Sequence, residues 1–363
     1  MSEMNLYLIA GAAAVVLVGS LVLLARTGGD PAQPEPDAKK KPPKRPTSPK
    51  PIEPLEAQEG DAEEVTIVRL QLDPSDFPDV IFDDESEEID PVAKAIQLVA
   101  DDGADEDEPT RTSAVILVSA AGQTDRGQKR KRNEDRFLRL DGHGVYAVAD
   151  GMGGYAGGDV ASETAVETIA QAFRESSFEG KVRGDLPRRA MELAQAVQMA
   201  NVAIFREALR QPHLEGMGTT LVATRFALRK ERLYLAHVGD SRCYRIRGGE
   251  IQQLTTDHTL GNLGLTGPHA AYLSRALGIK PEVTIDVIVG KPEPGDLYLL
   301  CSDGLTKMIP DDEEILRVVN ENPKNMDLAV QKLVDLANER GGKDNVTVLL
   351  VGVRLPADLG LPD

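Results

Sequence analysis

Val148-Ala149-Asp150-Gly151-Met152-Gly153-Gly154 is the stretch on which the reading of this chain turns. The apolar run from Gly144 to Ala149 reads as a buried strand, and it delivers an aspartate to its end. The glycines that follow let backbone approach a ligand closely and offer it a carbonyl. Other acids stand at comparable junctions. Glu134-Asp135 precede Phe137-Leu138, Asp303 lies between the run Leu297 to Ser302 and Gly304, and Asp344 precedes Val346 to Val353. Any one junction fits an ordinary strand-end turn rich in Asp and Gly. Taken together, carboxylates at the ends of several apolar runs point to a hard-cation site built from oxygen ligands.

Outward from this stretch, the texture of a folded domain runs from Thr112 to about residue 356. Val115 to Ser119 is predicted to be a strand, and Gly157 to Phe173 and Pro187 to Leu209 to be helices, with Pro187 placed to open the second. Thr219 to Leu228 and Arg232 to Val238 flank a short turn, as do Cys243 to Arg247 and Glu250 to Leu254 around Gly248-Gly249. Val283 to Val289, Leu297 to Cys301 and Val346 to Arg354 are further strands, and Asp311 to Asn320 and Met326 to Arg340 further helices. Short turns between strands and paired helices argue for an α+β architecture of antiparallel sheets with helices outside. Residues 112–356 suffice to bury a core of their own.

The N-terminal part differs in kind. Leu6 to Ala25 is uncharged and apolar, long enough for the ~30 Å hydrocarbon core of a bilayer. A cleaved signal peptide would want a positive leader, whereas this one carries Glu3 and no Lys or Arg. Arg26, Lys39, Lys40, Lys41, Lys44 and Arg45 follow, so the positive-inside rule places the C-terminal side in the cytoplasm. The expectation is a single-pass protein of the inner (cytoplasmic) membrane. Residues 26–111 read as a mostly disordered linker, Pro/Lys-rich and then acidic. The net charge of the whole chain is −18, and Asp61 to Glu108 holds eighteen Asp and Glu against Arg69 and Lys94. The remainder is near neutral, so no nucleic-acid footprint is present. Cys243 and Cys301, each in an apolar run, read as buried reduced thiols.

In this frame the motifs form an ordered set. Thr124-Asp125-Arg126-Gly127, Arg130 with Asn133-Glu134-Asp135, Asp150-Gly151-Met152-Gly153-Gly154, Gly216-Met217-Gly218-Thr219-Thr220 and Val238-Gly239-Asp240-Ser241-Arg242 come first. Asp257-His258, Ser274-Arg275-Ala276-Leu277-Gly278, Ser302-Asp303-Gly304-Leu305 and Asp344-Asn345-Val346-Thr347 follow. This set resembles the metal-dependent Ser/Thr protein phosphatases of type 2C, in their bacterial branch, over about 112 to 354. The resemblance implies two antiparallel β-sheets packed face to face and flanked by helices. It implies two Mn²⁺ or Mg²⁺ ions bridged by Asp150, with the Gly151 carbonyl on one ion and Asp303 and Asp344 on the other. Glu134 would act through bound water with Asp135 close behind, and Asp240 matches a third, weaker metal site. Arg130, four residues before Glu134, stands where the family places its phosphate-binding arginine.

The chemistry of those residue types agrees with that assignment. A phosphomonoester dianion needs its charge neutralised, paired metals acidify a bridging water, and the planar fork of arginine suits phosphate. The implied activity is hydrolysis of phosphoserine and phosphothreonine in phosphorylated proteins by a metal-bridging hydroxide, with Ser/Thr kinases as partners and a monomeric catalytic domain. Two positions depart from the family pattern. Met152 stands where eukaryotic members often carry a histidine, which leaves the general acid open between metal-bound water and His258. Between His258 and Arg275 the chain has only Thr259 to Ser274, where relatives carry a longer, helix-containing flap, so the site is expected to be open. Two rival readings are weighed against the enzyme. A membrane-tethered docking module without turnover has no need of clustered, mutually repelling acids. A metal-dependent nuclease would need a basic groove.

Overall fold

β4 (Val145–Met152) is buried along most of its length, so its alternation sorts side chains into two cores. Val145, Ala147 and Ala149 join one cluster, and Tyr146 and Val148 another. A strand that is apolar on both faces belongs inside a layered structure, and the computed structural model has that form. It describes residues 66–71, 116–153, 157–178, 187–227 and 232–355.

One sheet runs β1 (Thr66–Gln71), β10 (Thr284–Gly290), β7 (Arg232–Val238), β6 (Leu221–Ala227), β4 and β3 (Asp135–Leu140), with the short β5 (Gly218–Thr219) paired to β4. The other runs β2 (Leu117–Asp125), β12 (Val346–Arg354), β11 (Leu297–Cys301), β8 (Arg242–Arg247) and β9 (Glu250–Gln253). All of these pairings are antiparallel. Tyr146, Val148, Val222 and Leu235 of the first sheet meet Tyr298, Leu300, Leu349 and Val351 of the second in the central core. The outer face of the first sheet packs under α1 (Gly157–Glu175) and α2 (Arg188–Arg210). The outer face of the second packs under α3 (Asp303–Met308), α4 (Asp312–Asn320) and α5 (Met326–Glu339). The sandwich with helices on both sides is the architecture expected from the sequence.

The elements begin where local chemistry places them. Pro187 stands at the N-cap of α2, where its missing N–H costs no helical hydrogen bond. Asp311 caps α4 by accepting from the Glu313 N–H, and Asn325 caps α5 by accepting from Leu328 N–H. Cys243 and Cys301 are both free and buried, and they belong to different cores, Cys243 between the sheets and Cys301 under the outer helices.

Three elements differ from the sequence expectation. The first strand of the domain, β2, runs on to Asp125 rather than stopping at Ser119. α3 is a six-residue helix that begins at Asp303. β1 arises from the acidic part of the 26–111 stretch, with Thr66 opposite Val289 and Gln71 opposite Thr284, so the sheet extends to a strand that precedes residue 112. Among the described residues no helix is long and apolar enough to cross a membrane. Leu6 to Ala25, and Val92 to Ala100 of the acidic segment, lie outside them.

Candidate active site

Strand register brings the acids together. Asp150, near the end of β4, lies opposite Asp135 at the start of β3. In the second sheet Cys301 pairs with Val348, so the residues just after β11 and just before β12, Asp303 and Asp344, fall at a common end. The result is one cavity of about 990 Å³ whose lining includes Arg130, Glu134, Asp150, Gly151, Asp240, Asp303 and Asp344. All of these were singled out from sequence.

Asp135 is placed differently. Expected among the metal ligands, it is fully buried and does not line the cavity. Its Oδ2 accepts from Ser302 Oγ and from Thr347 Oγ1, each at 2.7 Å, so one carboxylate ties the two sheets behind Asp150. Because the Thr347 proton goes to Asp135, Thr124 donates to Thr347 at 2.7 Å, and Asn133 Nδ2 in turn donates to Thr124 at 2.8 Å. Each member of this relay orients the next, while the buried Asp135 Oδ1 has no hydrogen-bond partner among the described residues.

The loop carrying Arg130 is pinned by the residue just before β12. Asn345 accepts from the Glu134 N–H at 2.9 Å and donates to the carbonyls of Arg126 and Arg132, both at 2.8 Å. The Glu134 carbonyl accepts from Gly151 N–H at 3.1 Å and Ser162 Oγ at 2.6 Å. Gly151 sits so tightly that an added Cβ would meet the Gly158 carbonyl oxygen at 2.0 Å, so no larger residue fits. Asp150 is held through its backbone, whose N–H reaches Thr220 Oγ1 at 3.2 Å and whose carbonyl accepts from Thr220 N–H at 2.9 Å. Its carboxylate is thereby left to the cavity.

Two cations answer the acids. Arg130 Nη2 lies 2.9 and 2.8 Å from the two oxygens of Asp344, with Nη1 3.8 Å from Glu134. Lys307 Nζ pairs with Asp303 and stands 3.7 Å from Asp344. Lys307 was not anticipated. The signal is its place four residues after Asp303, which puts both on one face of a helix. Burial, and then the neighbouring carboxylates led by Asp135, push Asp150 well above the ordinary carboxylate range. Burial pushes Asp135 and Asp240 each up to about 7, with Asp303 the leading neighbour of Asp240. Burial likewise raises Asp303 against the pull of Lys307.

His258 lies outside the cavity. It is buried; its Nδ1 accepts from the Gly239 N–H at 3.1 Å, and its Nε2 faces Asp286 at 3.0 Å. Its backbone N–H donates to the Gly239 carbonyl at 2.7 Å. The ring therefore clamps the residue next to Asp240, and no proton donor to a substrate is made of it. Met152 lines the cavity and cannot donate one either.

The donor set suits hard divalent cations. Its members are carboxylates and a backbone carbonyl, and buried Asp303 Oδ1 has no hydrogen-bond partner among the described residues. Among the described residues no three His, Cys, Asp or Glu side chains form a group that could hold an ion by themselves. Binding through one or two carboxylates, completed by carbonyl and water, is the usual habit of Mg²⁺.

The chain is similar in sequence and fold to known phosphatases. The family model described as protein phosphatase 2C matches residues 123–336. The serine/threonine phosphatase Stp of Listeria monocytogenes is 38% identical over 252 residues, covering 64% of this chain and 95% of that protein. The serine/threonine protein phosphatase PstP of Mycobacterium tuberculosis is 38% identical over 249 residues, 66% of this chain and 45% of that protein. The crystal structure of the PstP catalytic domain in complex with two manganese ions superposes with a TM-score of 0.56 at 37% identity, over 66% of this chain and 99% of that one.

Proposed function

Because the chain belongs to the protein phosphatase 2C family, we propose that it removes phosphate from phosphoserine and phosphothreonine of cytoplasmic proteins while anchored to the membrane. The enzyme is a protein-serine/threonine phosphatase dependent on Mn²⁺ or Mg²⁺. The observation that carries the site reading is the convergence of Asp150, Asp303, Asp344 and Glu134 on one cavity with Arg130. In this reading Asp150, Gly151 through its carbonyl, Asp303 and Asp344 hold the ions, Glu134 orients water, and Asp240 serves an accessory site. When bound, paired divalent cations neutralise the phosphate charge and acidify water. Arg130 exchanges Asp344 for two phosphate oxygens, which its fork meets in parallel. Asp135 acts from behind, fixing the end of the sandwich on which Asp150 sits. Since neither Met152 nor His258 delivers a proton, the leaving alkoxide takes its proton from water in the open cavity.

Support for the anchor is the uncharged run Leu6 to Ala25 with basic residues after it. Protein kinases specific for Ser and Thr must supply its substrates, since the reaction consumes what they make. The test of the enzyme reading is release of phosphate from a phosphothreonine peptide by the full chain with Mn²⁺, abolished by EDTA. A folded protein that binds the peptide without turnover would establish the docking module instead.

A further inference from the structure

The large apolar side chains exposed among the described residues are Leu209, Leu263, Leu265, Tyr272, Ile279 and Leu328. Four of these six fall between Leu263 and Ile279, and Tyr272 and Ile279 also line the catalytic cavity. Leu263 is 72% and Tyr272 59% exposed, values at which burying them on a partner removes substantial apolar area from water. The segment Thr259 to Ser274 contains no Asp, Glu, Lys or Arg.

This loop has defined structure. Leu260 N–H donates to the Tyr272 carbonyl at 2.8 Å, Gly261 to Ala270 at 2.7 Å and Leu265 to Leu260 at 3.0 Å. At its base Ser274 N–H donates to His258 at 2.8 Å, and the Tyr272 ring meets His269 edge-on with centroids 5.0 Å apart. The apolar side chains are therefore presented by a braced loop. A clustered apolar surface of this kind marks an interaction site.

We infer that this rim receives the residues flanking the phosphorylated Ser or Thr of a substrate protein and selects large apolar ones. The inference rests on the phosphatase reading of the cavity. A phosphoryl group that reaches Arg130 and Asp150 brings its neighbouring residues over the wall formed by Tyr272 and Ile279, with Leu263 and Leu265 farther out on the same loop. Lacking charged side chains, the loop discriminates by apolar contact, so acidic or basic flanks gain no ion pair from it.

The test uses the full chain with Mn²⁺ and two phosphothreonine peptides that differ only in carrying Leu or Ser at the positions flanking the phosphoresidue. The wild type is expected to favour the Leu peptide by about tenfold in kcat/KM, the scale of apolar discrimination in an open site, and to do so through KM. The double variant Leu263→Ser, Leu265→Ser, at two residues outside the cavity lining, should lose most of that preference and keep its turnover of a small aryl phosphate. Equal use of both peptides by the wild type overturns the inference whether or not the variant folds. A gain in aryl phosphate turnover by the variant overturns it in favour of a rim covered by the chain itself. A dimer that the variant dissolves in sedimentation overturns it in favour of a second copy. Absence of turnover on all three substrates strikes the phosphatase reading itself, a different result from activity without preference.

Discussion

Arg130 pairs its guanidinium with Asp344, so under the proposed function the cation that would take phosphate and a carboxylate that would take metal hold each other in place. Arg130→Ala should therefore raise KM for a small aryl phosphate by roughly 10–100-fold, the worth of one or two charge-assisted hydrogen bonds. Calorimetric titration should show Mn²⁺ bound as tightly as in the wild type, since Asp344 is only freed. A fall in kcat at unchanged KM would contradict that role. Asp240→Asn should be milder than loss of a central ligand, and it carries a second expectation. Burial holds the Asp240 carboxyl up to about 7 against its ordinary 3.8. The folded chain thus keeps this proton more tightly than the unfolded chain. Its stabilising contribution is complete below the unfolded value and is lost as pH rises towards 7. In EDTA the melting temperature of the wild type should drop more between pH 5 and pH 7.5 than that of Asp240→Asn, and Mn²⁺ should recover the difference. An equal or smaller drop in the wild type would mean that Asp240 is not held protonated.

At the scale of elements, β10 connects β1 to the site. Its Asp286 takes the Arg275 guanidinium at 2.7 Å and His258 at 3.0 Å, its Thr284 lines the cavity, and β1 pairs along its outer edge. A protein beginning at Thr112 lacks β1 and leaves β10 as an open edge. Hydrogen exchange of β10 amides should be faster in that protein than in the full chain, while turnover of an aryl phosphate persists. Unchanged exchange would mean that β1 does not pair in solution. The contrast between β1 and its partner shows where the sequence was legible. β11 and the stretch Val348 to Val351 of β12 announce themselves as continuous apolar runs, and β10 is largely apolar around Thr284 and Asp286, because strands buried on both faces need no polar alternation. In β1 a short apolar run sits in a stretch dense with acids, and its partner lies more than two hundred residues away, so only tertiary pairing reveals it. α3 is too short for helical periodicity to register. The site acids were legible because each stands at the end of an apolar run. Asp135 is buried outside the cavity lining, a placement that sequence adjacency to Glu134 hides. Lys307 was missed because its meaning depends on the unrecognised α3.

The whole molecule joins a catalytic sandwich, near neutral apart from its site, to an N-terminal region that holds most of the net charge. If Leu6 to Ala25 is the anchor, the full chain should sediment with membranes, and protease added outside the cell should leave the catalytic domain intact. Recovery of the full chain in the soluble fraction would contradict this. Beyond where the protein resides, the sandwich gathers its strand-end acids around Asp150 in one cavity, and in the proposed function this carboxylate would serve both cations. Asp150→Asn removes that charge while keeping the side chain's shape and the Thr220 hydrogen bonds to its backbone. The most direct measurement is Mn²⁺ titration of this variant alongside phosphate release from a phosphothreonine peptide. The account predicts weakened binding at both central sites together and turnover lower by roughly three orders of magnitude or more, matching the several kcal/mol that metal activation supplies. Retention of two tight Mn²⁺ sites with near-normal turnover would contradict it.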